Sequence, residues 1–234
     1  MKRQIKWERF VLPQDERDRE IIDRIVKEKG VEAIPSLIET LEKNEDDSDL
    51  MTLVGNAVIA LGEESAPFLR SHLKEEAKAF ETNPPVYKEK AFRTTLLLVI
   101  DLLGEFGNRD DILLLEKFIP LYDKEKAQLI IYEAVSKLGG GEKYIDLLEL
   151  YAFEDDFKEN LIGQVIMTLA FIDSPRALFD LVKITKLDWL PATEKDIAYK
   201  ALKDQLRRNP EYYELLESDP YGSRVLGEIT GEEE

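Results

Sequence analysis

The chemistry open to this chain is narrow, because its 234 residues include one histidine and no cysteine. His72 is the sole candidate for a general base near neutral pH, and a thiol nucleophile or thiolate metal site is excluded. A serine or threonine nucleophile would need a general base beside it, and His72 is the only candidate for that base. We therefore predict that the protein is not an enzyme and has no catalytic residues.

His72 also precedes Glu75 and Glu76 by about one helical turn, so a histidine–glutamate face could hold a metal ion. Two or three ligands without a second motif make a poor site, and we predict a surface histidine instead. The acidic run 45–49 lacks the central glycine and final glutamate of an EF-hand calcium loop. Solvation and helix capping explain this run and the similar run at 154–156. The sequence predicts no metal and no cofactor.

The glycine run 139–141 has the composition of a phosphate-binding loop but not its context. A strand should precede such a loop and a Lys-Ser or Lys-Thr pair should follow it, and neither is present. A helix C-terminus followed by a turn is the better explanation.

The formal net charge of −17 sets the sign of any partner. An acidic surface repels phosphate backbones, so nucleic acid is disfavoured, whereas a basic protein or peptide would be attracted. Solvation of a helical surface explains the same charge without a partner. The start MKRQIKWERF lacks the apolar run of a signal peptide, and no stretch has the length and apolarity of a membrane span. We predict a soluble, cytoplasmic protein without membrane contact.

The stretch 50–73 shows the unit from which the chain is built. Its apolar residues keep helical spacing up to Gly62, and a second helix opens at Ala66 and Pro67. The pattern recurs, so we predict six antiparallel helix pairs. The first apolar residues of the second helices are 32, 46, 32, 34 and 34 residues apart, at Ile34, Ala66, Ile112, Tyr144, Leu178 and Tyr212. This common register predicts an array in which each pair buries its face on its neighbours.

The segments NAVIALGEESAPFLRSHL and EAVSKLGGGEKYIDLLEL resemble HEAT repeats, of the short kind also found in phycobilin lyases. The matching features are an Ala-x-x-x-Leu-Gly ending, at 57–62 and 134–139, and a Pro or Ile-x-x-Leu that follows. The resemblance implies an all-α fold, a HEAT-like α-solenoid of about six antiparallel helix pairs. Two departures stand out: no unit has the family's full Asp and Arg capping set, and the last two pairs end in Asp or Asn rather than Gly.

Three segments are predicted along the chain. Residues 1–13 form a basic arm that packs over the first helices, and 14–217 form the repeat solenoid. Residues 218–234 form an acidic, partly ordered tail, because they are too polar and glycine-rich for another pair. A helix that ends in glycine is predicted to stop at Gly62, Gly104 and Gly139.

A ridge of partner-contacting residues is predicted on the second helices, which line the concave face if the HEAT resemblance holds. The ridge is apolar in the middle of the chain and acidic toward the C-terminus, and consists of Phe68, Leu114, Phe118, Asp146, Asp180 and Glu214. Burial of Phe68 and Leu114 between repeats, and plain solvation of the acidic residues, are the alternatives. We expect the partner to carry an apolar anchor followed by basic residues.

The leading interpretation is a non-enzymatic helical scaffold that binds another protein or peptide through its concave face. The resemblance implies an alternative, a lyase or lyase subunit of the phycobilin-lyase type. A third interpretation is nucleic-acid binding, since some DNA glycosylases are built on HEAT-like repeats, but the acidic second helices disfavour it. No pattern in the sequence assigns an oligomeric state.

Overall fold

The computed structural model describes residues 16–83, 93–154 and 158–230, apart from the side chains of 158–160. These ranges consist of α-helices joined by turns and short 3-10 segments, without a β-strand. The predicted all-α class is confirmed for them, and the predicted arm at 1–13 lies outside the described residues. Where the sequence predicts one array over 14–217, the chain divides into two compact units, Met1–Leu121 and Tyr122–Glu234.

The described residues of the first unit form three helix pairs. Its helices are α1 (Glu16–Glu28), α2 (Ile34–Glu42), α3 (Ser48–Leu61), α4 (Ala66–Thr82), α5 (Thr94–Phe106) and α6 (Ile112–Glu116). The first helices α1, α3 and α5 pack side by side in chain order, and the second helices α2, α4 and α6 do the same. Each pair therefore buries its apolar face against the next pair, as a repeat array requires.

The second unit repeats this arrangement and adds one helix. Its helices are α7 (Glu125–Lys137), α8 (Ile145–Phe153), α9 (Lys158–Ala170), α10 (Pro175–Thr185), α11 (Ala192–Arg208), α12 (Tyr212–Glu217) and α13 (Pro220–Thr230). The first helices α7, α9 and α11 pack in order, and α8 packs against α10. The added helix α13 packs against α10 and α12. None of the helices in the described ranges is long and apolar enough to cross a membrane.

The predicted apolar stripes form the cores of both units. Leu69 and Leu73 of α4 are fully buried, and so are Leu148 of α8 and Leu181 of α10. Burying one such side chain stabilises the fold by about 1.5–3 kcal/mol. The middle of α5, from Thr95 to Gly104, is buried on all sides because α3 and α4 cover it.

Glycines at helix ends explain how the second helices α4 and α8 begin. Gly62 and Gly139 have φ angles of 70° and 87°, a region that residues with a Cβ atom rarely adopt. A 3-10 turn then leads into the second helix, as at Gly62–Ser65 before α4. The predicted stop at Gly104 is wrong: α5 continues to Phe106, and the Gly107 N–H donates to the Leu103 carbonyl at 2.7 Å.

Side chains bond the end of α9, which Asp173 follows where other first helices have glycine. Buried Gln205 donates from Nε2 to the Leu169 and Ile172 carbonyls at 2.9 and 3.1 Å. Arg208 donates to the Ala170 carbonyl and pairs with Asp173. Side chains of α11, the first helix of the following pair, thus add hydrogen bonds to the local backbone bonds at the end of α9.

Residues 220–230 of the predicted tail form the helix α13. Asp219 caps α13 by accepting from the Tyr221 and Gly222 N–H groups at 3.0 and 2.8 Å. Pro220 is suited to the first helical position, because its missing N–H would have no partner there. Val225 is completely buried. The cap by Asp219 and the burial of Val225 stabilise this helix although the segment is polar.

Candidate binding grooves on the second helices

A groove of about 200 Å³ lies between α2 and α4 in the first unit. Apolar side chains of both helices line it together with carboxylates and the single histidine; its lining is Ile34, Pro35, Ile38, Glu39, Glu42, Phe68, Ser71, His72 and Glu75. Phe68 is half-buried, and Glu39 and Glu75 are exposed. The groove therefore offers an apolar surface beside negative charge.

A charged cluster closes one end of this groove and extends to the start of α5. His72 Nε2 lies 3.7 Å from Glu42 Oε1. The Arg93 guanidinium pairs with Glu76, with Glu42 at 3.3 Å and with Glu45 at 4.0 Å. Burial raises the pKa of Glu45, an effect that Arg93 opposes by favouring the charged carboxylate. Arg93, the residue before α5, thus links the start of that helix to α2, to the loop after α2 and to α4.

A buried ion pair fixes α4 to the turn before α6. Arg70 donates to both carboxylate oxygens of Asp111, which is 3 % exposed. Asp111 also accepts from the Asn108 N–H at 3.0 Å. Burial raises the pKa of Asp111, but the hydrogen bonds from Arg70 and Asn108 outweigh it, so the net pKa lies below its ordinary value. The pair keeps neighbouring second helices in a fixed arrangement.

A second groove, of about 430 Å³, lies between α8 and α10 in the second unit. Its lining is Asp146, Glu149, Leu150, Phe153, Glu154 and Lys183. Leu150 is 42 % exposed although it is apolar. This groove repeats the combination found in the first unit, an apolar surface beside carboxylates on successive second helices.

Ion pairs organise the second groove. Arg176 of α10 reaches back to α8, where it pairs with Glu149 and, at 2.6 Å, with Asp146. The hydrogen bond from Arg176 lowers the pKa of Glu149. Asp180 is fully buried, and its Oδ1 lies 2.8 Å from Lys183 Nζ. Burial raises the pKa of Asp180, because Lys183 compensates only part of the lost hydration.

Only some residues of the predicted ridge are exposed to solvent. Phe68 and Leu114 are half-buried, whereas Asp146 and Glu214 are exposed. Two members are misplaced, since Phe118 and Asp180 are fully buried and cannot contact a partner in this conformation. Helix α6 ends at Glu116, so Phe118 enters the core from the turn that follows. Asp180 tolerates burial because Lys183 is one turn away on the same helix.

The register of the fourth pair also needs correction. The first buried residue of α8 is Ile145 rather than Tyr144, which instead stacks on Tyr132 with ring centroids 4.3 Å apart. Asp146 therefore follows the first buried residue of its helix by one position, whereas Asp180 follows Ala177 by three and Glu214 follows Tyr212 by two. The acidic residues are 34 positions apart in the sequence, but they do not hold the same position on their helices.

Sequence reasoning missed a polar cluster in the core of the second unit. Glu133 of α7 is fully buried, accepts a hydrogen bond from Gln164 of α9 and lies 3.1 Å from Lys137 Nζ. The Lys137 ammonium also lies 5.3 Å from the centre of the Phe171 ring. The cluster joins two first helices and is closed to solvent, so its role is structural. Its sequence signal is weak, because glutamate and glutamine are common on helix surfaces.

No family model, no curated protein and no solved structure matches this chain.

Proposed function

We propose that the protein is a non-enzymatic scaffold that binds a protein or peptide through its second helices. The partner segment carries an apolar anchor beside lysine or arginine residues. The observation that carries this proposal is the groove between α2 and α4, where Phe68 and Ile38 lie beside Glu39 and Glu75. Apolar burial would supply affinity there, and the carboxylates would select a basic segment.

The groove between α8 and α10 supports the proposal independently. Exposed Leu150 and neighbouring Phe153 provide an apolar surface, and Asp146 and Glu154 provide negative charge. A partner's apolar side chain could be buried against Leu150 and Phe153. The overall charge of −17 has the same consequence, since it speeds the approach of a basic partner.

A pair of labelled peptides tests the proposal. One has leucines between flanking lysines, and in the other each lysine is replaced by glutamate. Fluorescence anisotropy at low salt should show binding of the lysine peptide alone, weakened by added salt. Phe68→Ala and Glu75→Lys should each weaken binding at least about fivefold, a loss of about 1 kcal/mol.

Glu64→Lys is the matched control, because Glu64 is exposed in the turn before α4 but does not line the groove. It changes the net charge as Glu75→Lys does. Equal weakening by both reversals would mean that only net charge attracts the peptide, which contradicts a site in the groove. Equal binding of the two peptides would contradict the proposal as a whole.

A further inference from the structure

One cluster in the first unit brings metal-binding groups together from two helices. His72 and Glu76 lie one turn apart on α4, and Glu42 is the last residue of the neighbouring helix α2. One ligand atom from each of the three lies within 4.8 Å of the others. We propose that Glu42, His72 and Glu76 bind a divalent transition-metal ion of the Zn²⁺ type, which accepts imidazole and carboxylate ligands.

The spacing of the three ligand atoms is close to what such an ion needs. In a tetrahedral site Zn²⁺ lies about 2.0–2.2 Å from nitrogen and oxygen ligands, so neighbouring ligand atoms are about 3.4 Å apart. His72 Nε2 and Glu42 Oε1 are 3.7 Å apart, and all three ligand atoms lie within 4.8 Å of one another, a range that rotation of the glutamate side chains can close. Three protein ligands leave room for water in the fourth position.

The environment of His72 also favours a metal. Its Nε2 atom is buried and makes no hydrogen bond. The side chains of His72 and Glu76 are each 18 % exposed, and that of Glu42 is 31 % exposed. A buried nitrogen without a partner costs about 1–3 kcal/mol, and coordination through its lone pair would remove this cost.

The cluster is rich in negative charge, which favours a cation. The carboxylates of Glu42, Glu45 and Glu76 lie around the guanidinium of Arg93. Arg93 does not exclude the metal, because a carboxylate has two oxygens and several lone pairs and can serve both. A hydrogen bond from arginine to a ligand carboxylate is the usual means of fixing its orientation.

The sequence alone predicts no metal site because Glu42 is 30 positions away from His72. The neighbouring pair His72 and Glu75 is not the site either, since Glu75 is outside the close set. The packing of α2 against α4 supplies the third ligand. The proposal does not depend on peptide binding in the groove.

Titration of the full chain, stripped of metal with a chelator, tests the proposal. CoCl₂ should produce the visible absorption of a coordinated cobalt ion, and calorimetry with ZnCl₂ should give one ion per chain. His72→Ala and Glu76→Gln should each weaken Zn²⁺ binding by more than about tenfold, because even loss of an outer partner of a ligand costs that much. Zn²⁺ should raise the melting temperature of the wild type and not that of His72→Ala.

Glu75→Gln is the matched control, since it removes a carboxylate next to the site without removing a ligand. His72→Gln, which keeps a side chain of similar size, replaces His72→Ala if circular dichroism shows that the alanine variant is unfolded. Equal Zn²⁺ affinity of the wild type and the His72 variant would overturn the proposal. So would the absence of saturable binding, or an equal loss in Glu75→Gln.

Discussion

Arg70 and Asp111, which are 41 positions apart in the sequence, form a two-pronged ion pair, with Nε–Oδ1 and Nη2–Oδ2 distances of 2.5 and 2.8 Å. This geometry matches the flat guanidinium to the flat carboxylate and fixes the orientation of both groups. Asp111 is almost fully buried, so it depends on Arg70 and on the Asn108 N–H for compensation of its charge.

Replacing Arg70 by methionine should therefore destabilise the first unit. Breaking a fully buried pair costs about 3–5 kcal/mol, and because Arg70 is 26 % exposed we expect about 2 kcal/mol at pH 7. Urea unfolding followed by circular dichroism measures this loss. Lys43→Met is the control, since Lys43 and its partner Glu39 are both more than half exposed, and its effect should stay below about 0.5 kcal/mol.

The same pair should make stability depend on acid. The pKa of Asp111 is lowered in the folded state, so its contribution is present above the pKa of the unfolded chain, about 3.9. That contribution is lost as the pH falls through the folded-state pKa. The difference between wild type and Arg70→Met should shrink at low pH, and a constant difference would show that the lost contacts are not ionic.

Asp180 should show the opposite dependence on pH. Burial raises its pKa, so its proton is held more tightly in the folded state and stability falls as the pH rises from the unfolded pKa through the folded one. Asp180→Asn removes this loss and should raise the free energy of unfolding at pH 8. The gain should vanish near pH 3, where Asp180 is protonated in both states.

Asp146→Asn is the control for that measurement, because the Asp146 side chain is 84 % exposed. Its effect on stability should stay within about 0.5 kcal/mol at both pH values. A stability loss in Asp180→Asn at pH 8 would mean that the bond to Lys183 outweighs the cost of burial.

Two substitutions in α13 test whether this helix packs against the second unit in solution. Val225 is fully buried against the second unit, so Val225→Ala should cost about 1–2 kcal/mol. Tyr221, on the same helix and 69 % exposed, should be replaceable by alanine with little effect. Thermal unfolding of the two variants measures the difference, and equal melting temperatures would mean that α13 is not docked in solution.

The helices could be predicted from the sequence because their signals are local. The start of α4 at Ala66 agrees with the prediction. Proline at the first turn and glycine after the last turn act within a few residues. The helix α13 had no such local signal, because its few apolar residues are buried only through contact with α10 and α12.

The candidate sites could be predicted only in part because they depend on contacts between distant residues. Phe68, a member of the predicted ridge, lines the groove between α2 and α4. The burial of Asp180 and the proximity of Glu42 to His72 had no local signal. Both depend on the distance and angle between neighbouring second helices. Side-chain packing determines these two quantities, and they cannot be read from the spacing of residues along the chain.

The capping of α9 by Gln205 and Arg208 has a consequence for the order of folding. The Thr168 and Leu169 carbonyls accept from N–H groups of their own turn, but the Leu169 and Ala170 carbonyls also accept from side chains of α11, which add bonds to the end of α9. During synthesis on the ribosome, the end of α9 gains these bonds only after more than thirty further residues have been made. Docking of α11 therefore stabilises the end of α9, and amide protons there should exchange more slowly once α11 has docked.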